Sequence, residues 1–253
     1  MGTNAIDTRA SGDGRAHARV RDTWALRWAD GGRLVATYAA LTAAFVGIGL
    51  LLTHPLKASA LVRLDGRIER WFVPRRTSTW NSLSWLGSQL SETTTKVVVT
   101  AIVCIVLLLV YRRWYEALLV AVPLIVEAAA FLTITVIVGR PRPDVPRLDG
   151  SPVGSSFPSG HTAAAACYAG VVVVLFLHTH RRWLRGSAVA AVIAVTAIVG
   201  VARMYRGMHH LTDVVAGALL GTLSVLFCVA IVQRAQRVHD APRPRRTSTR
   251  PAR

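Results

Sequence analysis

Cysteine is scarce. The 253-residue chain has three, Cys104, Cys167 and Cys228, and each falls inside an apolar run. An odd number of thiols so placed excludes a disulfide framework and lacks the paired spacing of a zinc site. They read as small apolar packing residues. Acidic residues are also few, 13 against 30 Lys and Arg, which leaves a net charge of +17. That charge sits mainly in the tails and short loops. It fits a surface facing anionic lipid, not a nucleic-acid-binding face. Internal repeats are absent, as is a short polar leader followed by an apolar stretch of roughly 7–15 residues. The first apolar block, Leu34 to Thr53, starts late and is too long for a cleaved signal peptide, so a retained helix is expected despite the small-residue stretch Ala58-Ser59-Ala60.

Hydrophobic residues, in contrast, make up 52% of the chain. They come in blocks near the roughly 20 residues that a bilayer span needs. Five blocks follow the first: Lys96 to Tyr111 (with a start as early as Ser91), Ala117 to Val138, His161 to Thr179, Gly186 to Tyr205, and Leu211 to Val232. In lipid every backbone group must be satisfied within its own segment, so each block is expected to be helical. The expected fold class is an all-α integral membrane protein with six transmembrane helices. Residues 1–33 form a polar N-terminal segment, 34–232 the membrane domain, and 233–253 a flexible basic tail.

Arg112 and Arg113 follow the second block, Arg181, Arg182 and Arg185 follow the fourth, and seven arginines follow Gln233. The positive-inside rule then puts both termini in the cytoplasm of a multi-pass plasma-membrane protein. The loops after blocks one, three and five lie outside, where Arg140, Arg142, Arg147, Arg203 and Arg206 need a reason other than topology. Between the first two blocks, Leu61, Leu64, Ile68, Trp71 and Phe72 follow helical spacing with Arg63, Asp65, Arg67 and Glu69 among them. Trp80, Leu83, Leu86 and Leu90 make a weaker stripe. This is an amphipathic outer segment, either a surface connector or a lid beside a lipid entrance.

Three outer stretches carry chemistry: Gly139-Arg140-Pro141-Arg142-Pro143, Phe157-Pro158-Ser159-Gly160-His161, and Ala202 to Asp213. His209 and Asp213 are four residues apart, a spacing that puts both on one helical face. A carboxylate on one ring nitrogen leaves the other free to attack. Arg203 offers a guanidinium for phosphoryl oxygens. Ser159 and Gly160 precede a helix start that presents free amides to an anion, and His161 there is placed to protonate a leaving oxygen. Read alternatively, the histidines with Asp213 form a metal site, which the surrounding arginines disfavour. His210 reads as a packing or supporting residue, Arg206 as either interfacial or substrate-contacting, and His178 as incidental. Glu127, a charge inside a span, is expected to pair with a hydroxyl or backbone group or to stay protonated.

These three stretches resemble the type 2 phosphatidic acid phosphatase family, related to vanadium haloperoxidases. Arg142-Pro143, Pro158-Ser159-Gly160-His161, Arg203, His209 and Asp213 match its three-part pattern. The resemblance implies His209 as nucleophile, Asp213 as its orienting acid and His161 as general acid. It implies Arg142, Arg203, Ser159 and Gly160 as phosphate ligands, with no metal or cofactor. Thr135 stands where the family has Lys and Ala202 where it has Ser; Arg140 is expected to replace part of the lost charge. The implied activity is hydrolysis of a lipid phosphate or diphosphate at the outer face, with polyprenyl diphosphate, phosphatidate and phosphatidylglycerol phosphate as candidate substrates. The alternatives are a phosphotransferase using the same phosphohistidine and a non-enzymatic transporter. The oligomeric state is left open.

Overall fold

The computed structural model describes residues 28–150 and 154–240. Its helices in chain order are α1 (Trp28–Thr53), α2 (Ala60–Phe72), α3 (Ser78–Gln89), α4 (Thr93–Tyr111), α5 (Tyr115–Val138), α6 (Gly160–Cys167), α7 (Ala169–His178), α8 (Arg182–Tyr205) and α9 (Leu211–Asp240), with a 3₁₀ turn at Val73–Arg75. Six segments are long and apolar enough to cross a membrane: α1, α4, α5, α6 with α7, α8 and α9. The all-α six-span expectation holds. The bounds move outward, however. α1 begins at Trp28, inside the segment read as polar, and α9 runs to Asp240, past Val232. Helices continue through the interfacial turns because a started helix adds residues easily. Residues 1–27 and most of the basic tail lie outside the described residues.

Successive spans alternate in direction, so the connections after α1, α5 and α8 share one side. Those connections hold all three candidate stretches. Gly139, in a left-handed conformation, ends α5, and its amide returns to Thr135 O. α9 lies directly on α6. A Cβ on Gly217 would meet Ser159 O at 2.3 Å, and one on Gly221 would meet Ala163 O at 2.1 Å. Asp213, Gly217 and Gly221 are spaced by four, so this small-residue seam sets where Asp213 meets the start of α6. The buried core runs through α1, α5, α6 and α9, with Phe45, Leu119, Ile134, Phe157 and Leu220 at its centre.

The outer segment forms two helices. Ser59 caps α2 through Val62 N, and Thr77 caps α3 through Trp80 N. α3 is fastened to α8: Tyr205 hydroxyl donates to Asn81 Oδ1, and Arg76 donates to Tyr205 O. α2 buries its acidic residues. Leu61, Leu64 and Trp71 are exposed, while Asp65 and Glu69 are buried against the protein. Its apolar side suits lipid and its acidic side faces inward.

On the opposite side, His178 is not incidental. It stacks on Tyr111 and meets Glu116, which also pairs with Arg113. Glu127 is buried in α5, and neither of its oxygens has a hydrogen-bond partner among the described residues. Of the two expected states, paired or protonated, the paired one is not found among these residues.

Candidate active site

His209 lies in the turn between α8 and α9, just ahead of Leu211, so it is not on the helix that carries Asp213. Its Nδ1 donates to Ser156 O at 2.7 Å. A carbonyl only accepts, so this bond puts the proton on Nδ1 and leaves the Nε2 lone pair free. Asp213 Oδ2 stands 3.9 Å from the same nitrogen. The orienting contact expected of Asp213 is therefore made by a backbone carbonyl. Burial first, then the charges of Arg203 and Arg142, holds the His209 imidazole well below its ordinary range. The ring is neutral, as attack requires.

Asp213 does other work. Its Oδ2 caps the turn by accepting His210 N at 2.9 Å, and its Oδ1 accepts Arg140 Nη1 at 2.5 Å. Arg140 is enclosed. Nη1 also donates to Thr212 Oγ1 at 2.6 Å, and Nη2 to Asp65 Oδ2 at 3.0 Å. With both terminal nitrogens on protein carboxylates, Arg140 is a buried pin. That overturns its expected place as a replacement phosphate ligand. Thr135 is buried and its hydroxyl lacks a partner among the described residues.

Arg142 Nη1 donates to Met208 O at 2.6 Å, which sets it beside the His209 turn. Arg203 donates through Nη1 to Ser88 Oγ at 2.8 Å and Asp149 Oδ2 at 3.1 Å, while its buried Nε has no hydrogen-bond partner among the described residues. Arg206 is structural: Asp149, Ser84, Asn81 O and Leu148 O take up its nitrogens. Burial alone would raise the Asp149 carboxyl, but the Arg206 hydrogen bond and the two arginine charges hold it below its usual value.

Ser159, wholly buried, precedes α6 and exchanges a hydroxyl hydrogen bond with Thr162 at 2.9 Å. Its amide donates to Asp213 O at 3.0 Å. The first helical bond runs from Ala163 N to Ser159 O, so the amides of Gly160, His161 and Thr162 precede the ladder and face outward. Gly160 is small for packing as well: a Cβ would sit 2.7 Å from the Phe131 ring. Among the described residues no three His, Cys, Asp or Glu side chains converge as a metal site. The charges of Arg203 and Arg142 both act on His209, and His161 is a neighbour of the same ring.

The site is thus a histidine with two arginines and a helix amino end, gathered at one set of span ends. The family model described as the PAP2 superfamily matches residues 116–237. Over that stretch, a little under half of its length, the chain is similar to this superfamily. It is 34% identical over 120 residues to phosphatidylglycerophosphatase B of Bacillus subtilis (strain 168), covering 45% of this chain and 56% of that protein. It is 34% identical over 98 residues to the bacitracin transport permease protein BcrC of Bacillus licheniformis, covering 39% and 44%. The chain thus spans about half the length of the curated relatives it matches. A crystal structure of a transmembrane PAP2-type phosphatidylglycerolphosphate phosphatase from Bacillus subtilis shares the fold, with a TM-score of 0.65 at 23% identity over 76% of this chain and 96% of that one.

The structure gathers His161, His209, Asp213, Arg142, Arg203, Ser159 and Gly160 at one end of the helix bundle and buries Arg140 between Asp65 and Asp213. Sequence reasoning missed Ser156, Asp149, Asp65 and Glu69. Asp65 and Glu69 carried a signal, an acidic pair four residues apart on an amphipathic helix, but the spacing alone does not say which side meets the protein.

Proposed function

We propose that this chain is a membrane lipid phosphatase of the PAP2 superfamily, acting through a phosphohistidine at the outer face. His209 Nε2 attacks phosphorus. Arg142, Arg203 and the first-turn amides of α6 hold the phosphoryl oxygens as charge develops. His161 gives its proton to the leaving lipid oxygen as the phosphorus–oxygen bond breaks. The same histidine then takes a proton from water, which attacks phosphorus, frees inorganic phosphate and restores His209. Arginines and backbone amides meet the phosphate charge, so the residues supply this chemistry without a divalent ion.

The observation that carries the reading is the Nδ1-tethered, neutral His209 set among Arg142, Arg203 and His161. A lipid substrate is favoured by an apolar groove of about 780 Å³ along α3 and α8, lined by Trp71, Trp80, Leu86 and Ile198 and by Ala202 and Tyr205, which flank Arg203 in sequence. The outer location follows from the arginines of the opposite loops. The test is phosphate release by the purified protein in detergent micelles from phosphatidylglycerol phosphate, phosphatidate and a polyprenyl diphosphate, beside a water-soluble sugar phosphate. At least one lipid should be turned over faster than the sugar phosphate. Equal or faster turnover of the sugar phosphate would refute the lipid assignment.

A further inference from the structure

The interfacial helix α2 sends two buried carboxylates into the turn that carries His209. Asp65 Oδ1 accepts Thr212 N at 3.0 Å, and its Oδ2 accepts Thr212 Oγ1 at 2.6 Å and Arg140 Nη2 at 3.0 Å. Asp65 thus caps the first turn of α9 and shares Arg140 with Asp213. One helical turn further on, Glu69 Oε1 meets His210 Nδ1. The other ring nitrogen, Nε2, faces Pro141 O at 3.1 Å. Both partners are acceptors, and only the imidazolium donates from both nitrogens. His210 is therefore a cation between α2 and the loop that follows α5, and it adjoins His209 in the chain.

We propose that Asp65, Glu69 and His210 are positioning residues of the active site: α2 clamps the segment from Met208 to Asp213, and so sets where His209 Nε2 points, an inference that rests on His209 as the nucleophile. The clamp is double. Asp65 fixes the amino end of α9 below His209, and the Glu69–His210 pair fixes the chain immediately after it. Leu64 and Trp71, exposed on an adjoining face of α2, suit a membrane surface beside the clamp. Misplacing a reacting group by about 1 Å costs on the order of 100-fold in rate, so a clamp at this place is felt in turnover more than in binding.

The charged groups facing His210 are Glu69 from α2, Asp213 from α9 and Arg140 from the loop after α5. Burial disfavours the imidazolium, but the hydrogen bond and charge of Glu69, with Asp213, outweigh that and raise the ring above its ordinary value. The clamp is complete below the ordinary histidine range, about 6.5. It loses one of its two His210 bonds as pH rises through the raised value.

The test uses the full chain in detergent micelles with phosphatidate as substrate. Its variants are Asp65→Asn, Glu69→Gln, His210→Gln, the double Glu69→Gln/His210→Gln, and His209→Ala. Each single change in the clamp should lower kcat by about 10–100-fold, with KM within about 3-fold of the starting protein. The double variant should be no slower than the worse single, because the two residues act as one pair. The starting protein should lose kcat as pH rises above the His210 range, and the double variant should lack that decline. Near-isosteric changes at Glu69 and His210 keep the test alive if Asp65→Asn does not fold. Singles within about 2-fold of the starting kcat, or losses that multiply in the double variant, would overturn the clamp while His209→Ala stayed inactive. Activity retained by His209→Ala would overturn the nucleophile assignment and the clamp with it.

Discussion

Arg140→Ala separates a buried pin from a phosphate ligand. The Arg140 side chain is 4% exposed, and the Asp65 and Asp213 side chains are 1% and 0% exposed. Removing the guanidinium leaves two buried carboxylates sharing one neighbourhood, still bonded by Thr212 and the His210 amide but without the cation that bridged them. Breaking a buried ion pair by deleting one partner costs about 3–5 kcal/mol, because the remaining charge is uncompensated. For a chain of this length each kcal/mol lowers Tm by roughly 2–4 °C, so Arg140→Ala should melt roughly 6–20 °C lower. Thermal unfolding in detergent, followed by circular dichroism, reads this directly, with phosphate release measured beside it. Thr135→Lys should not restore the loss, since a lysine there lies before the Gly139 bend and cannot bridge Asp65 and Asp213. A Tm within about 2 °C of the starting protein, together with a lowered kcat/KM that Thr135→Lys recovers, would refute the pin and reinstate Arg140 as a phosphate ligand.

Two further outcomes follow from geometry. Gly221→Ala would place a Cβ 2.1 Å from Ala163 O, which only backbone movement relieves; it should destabilise the α6–α9 seam by roughly 1–3 kcal/mol, read as a lower Tm, and an unchanged Tm would contradict the close crossing. Burial holds His209 neutral in the folded protein, whereas the unfolded chain takes up a proton near pH 6.5. Stability should therefore fall as pH drops below about 6.5; His209→Gln should remove that part of the slope in detergent unfolding curves, and an unaltered slope would count against a neutral buried ring.

The six spans were legible because apolar length is a one-dimensional property: Lys96 to Tyr111 and Ala117 to Val138 stand inside the helices found. Their ends were not, since a polar interfacial turn such as Trp28 to Arg33 is helical by continuation and not by composition. His209 and Asp213 stand 3.9 Å apart, near enough for the spacing to have flagged the pair. What spacing could not reveal was who holds whom. Helical periodicity tied Asp213 to His209, but the helix starts two residues later and the tether is a carbonyl 53 residues upstream in sequence. Arg140 looked like a spare cation because its partners, Asp65 and Asp213, lie 75 and 73 residues away. The sense of α2 was equally hidden, since an amphipathic stripe does not say which side meets the protein.

The most direct test of the central claim is to trap the covalent intermediate. Purified protein is mixed with a ³²P-labelled lipid phosphate that it turns over, quenched in alkali within milliseconds, and mapped by peptide analysis. Acid-labile, alkali-stable label should appear on the peptide containing His209, and His209→Ala should carry none and release no phosphate. Label on another residue, or phosphate release that survives His209→Ala, would contradict the account.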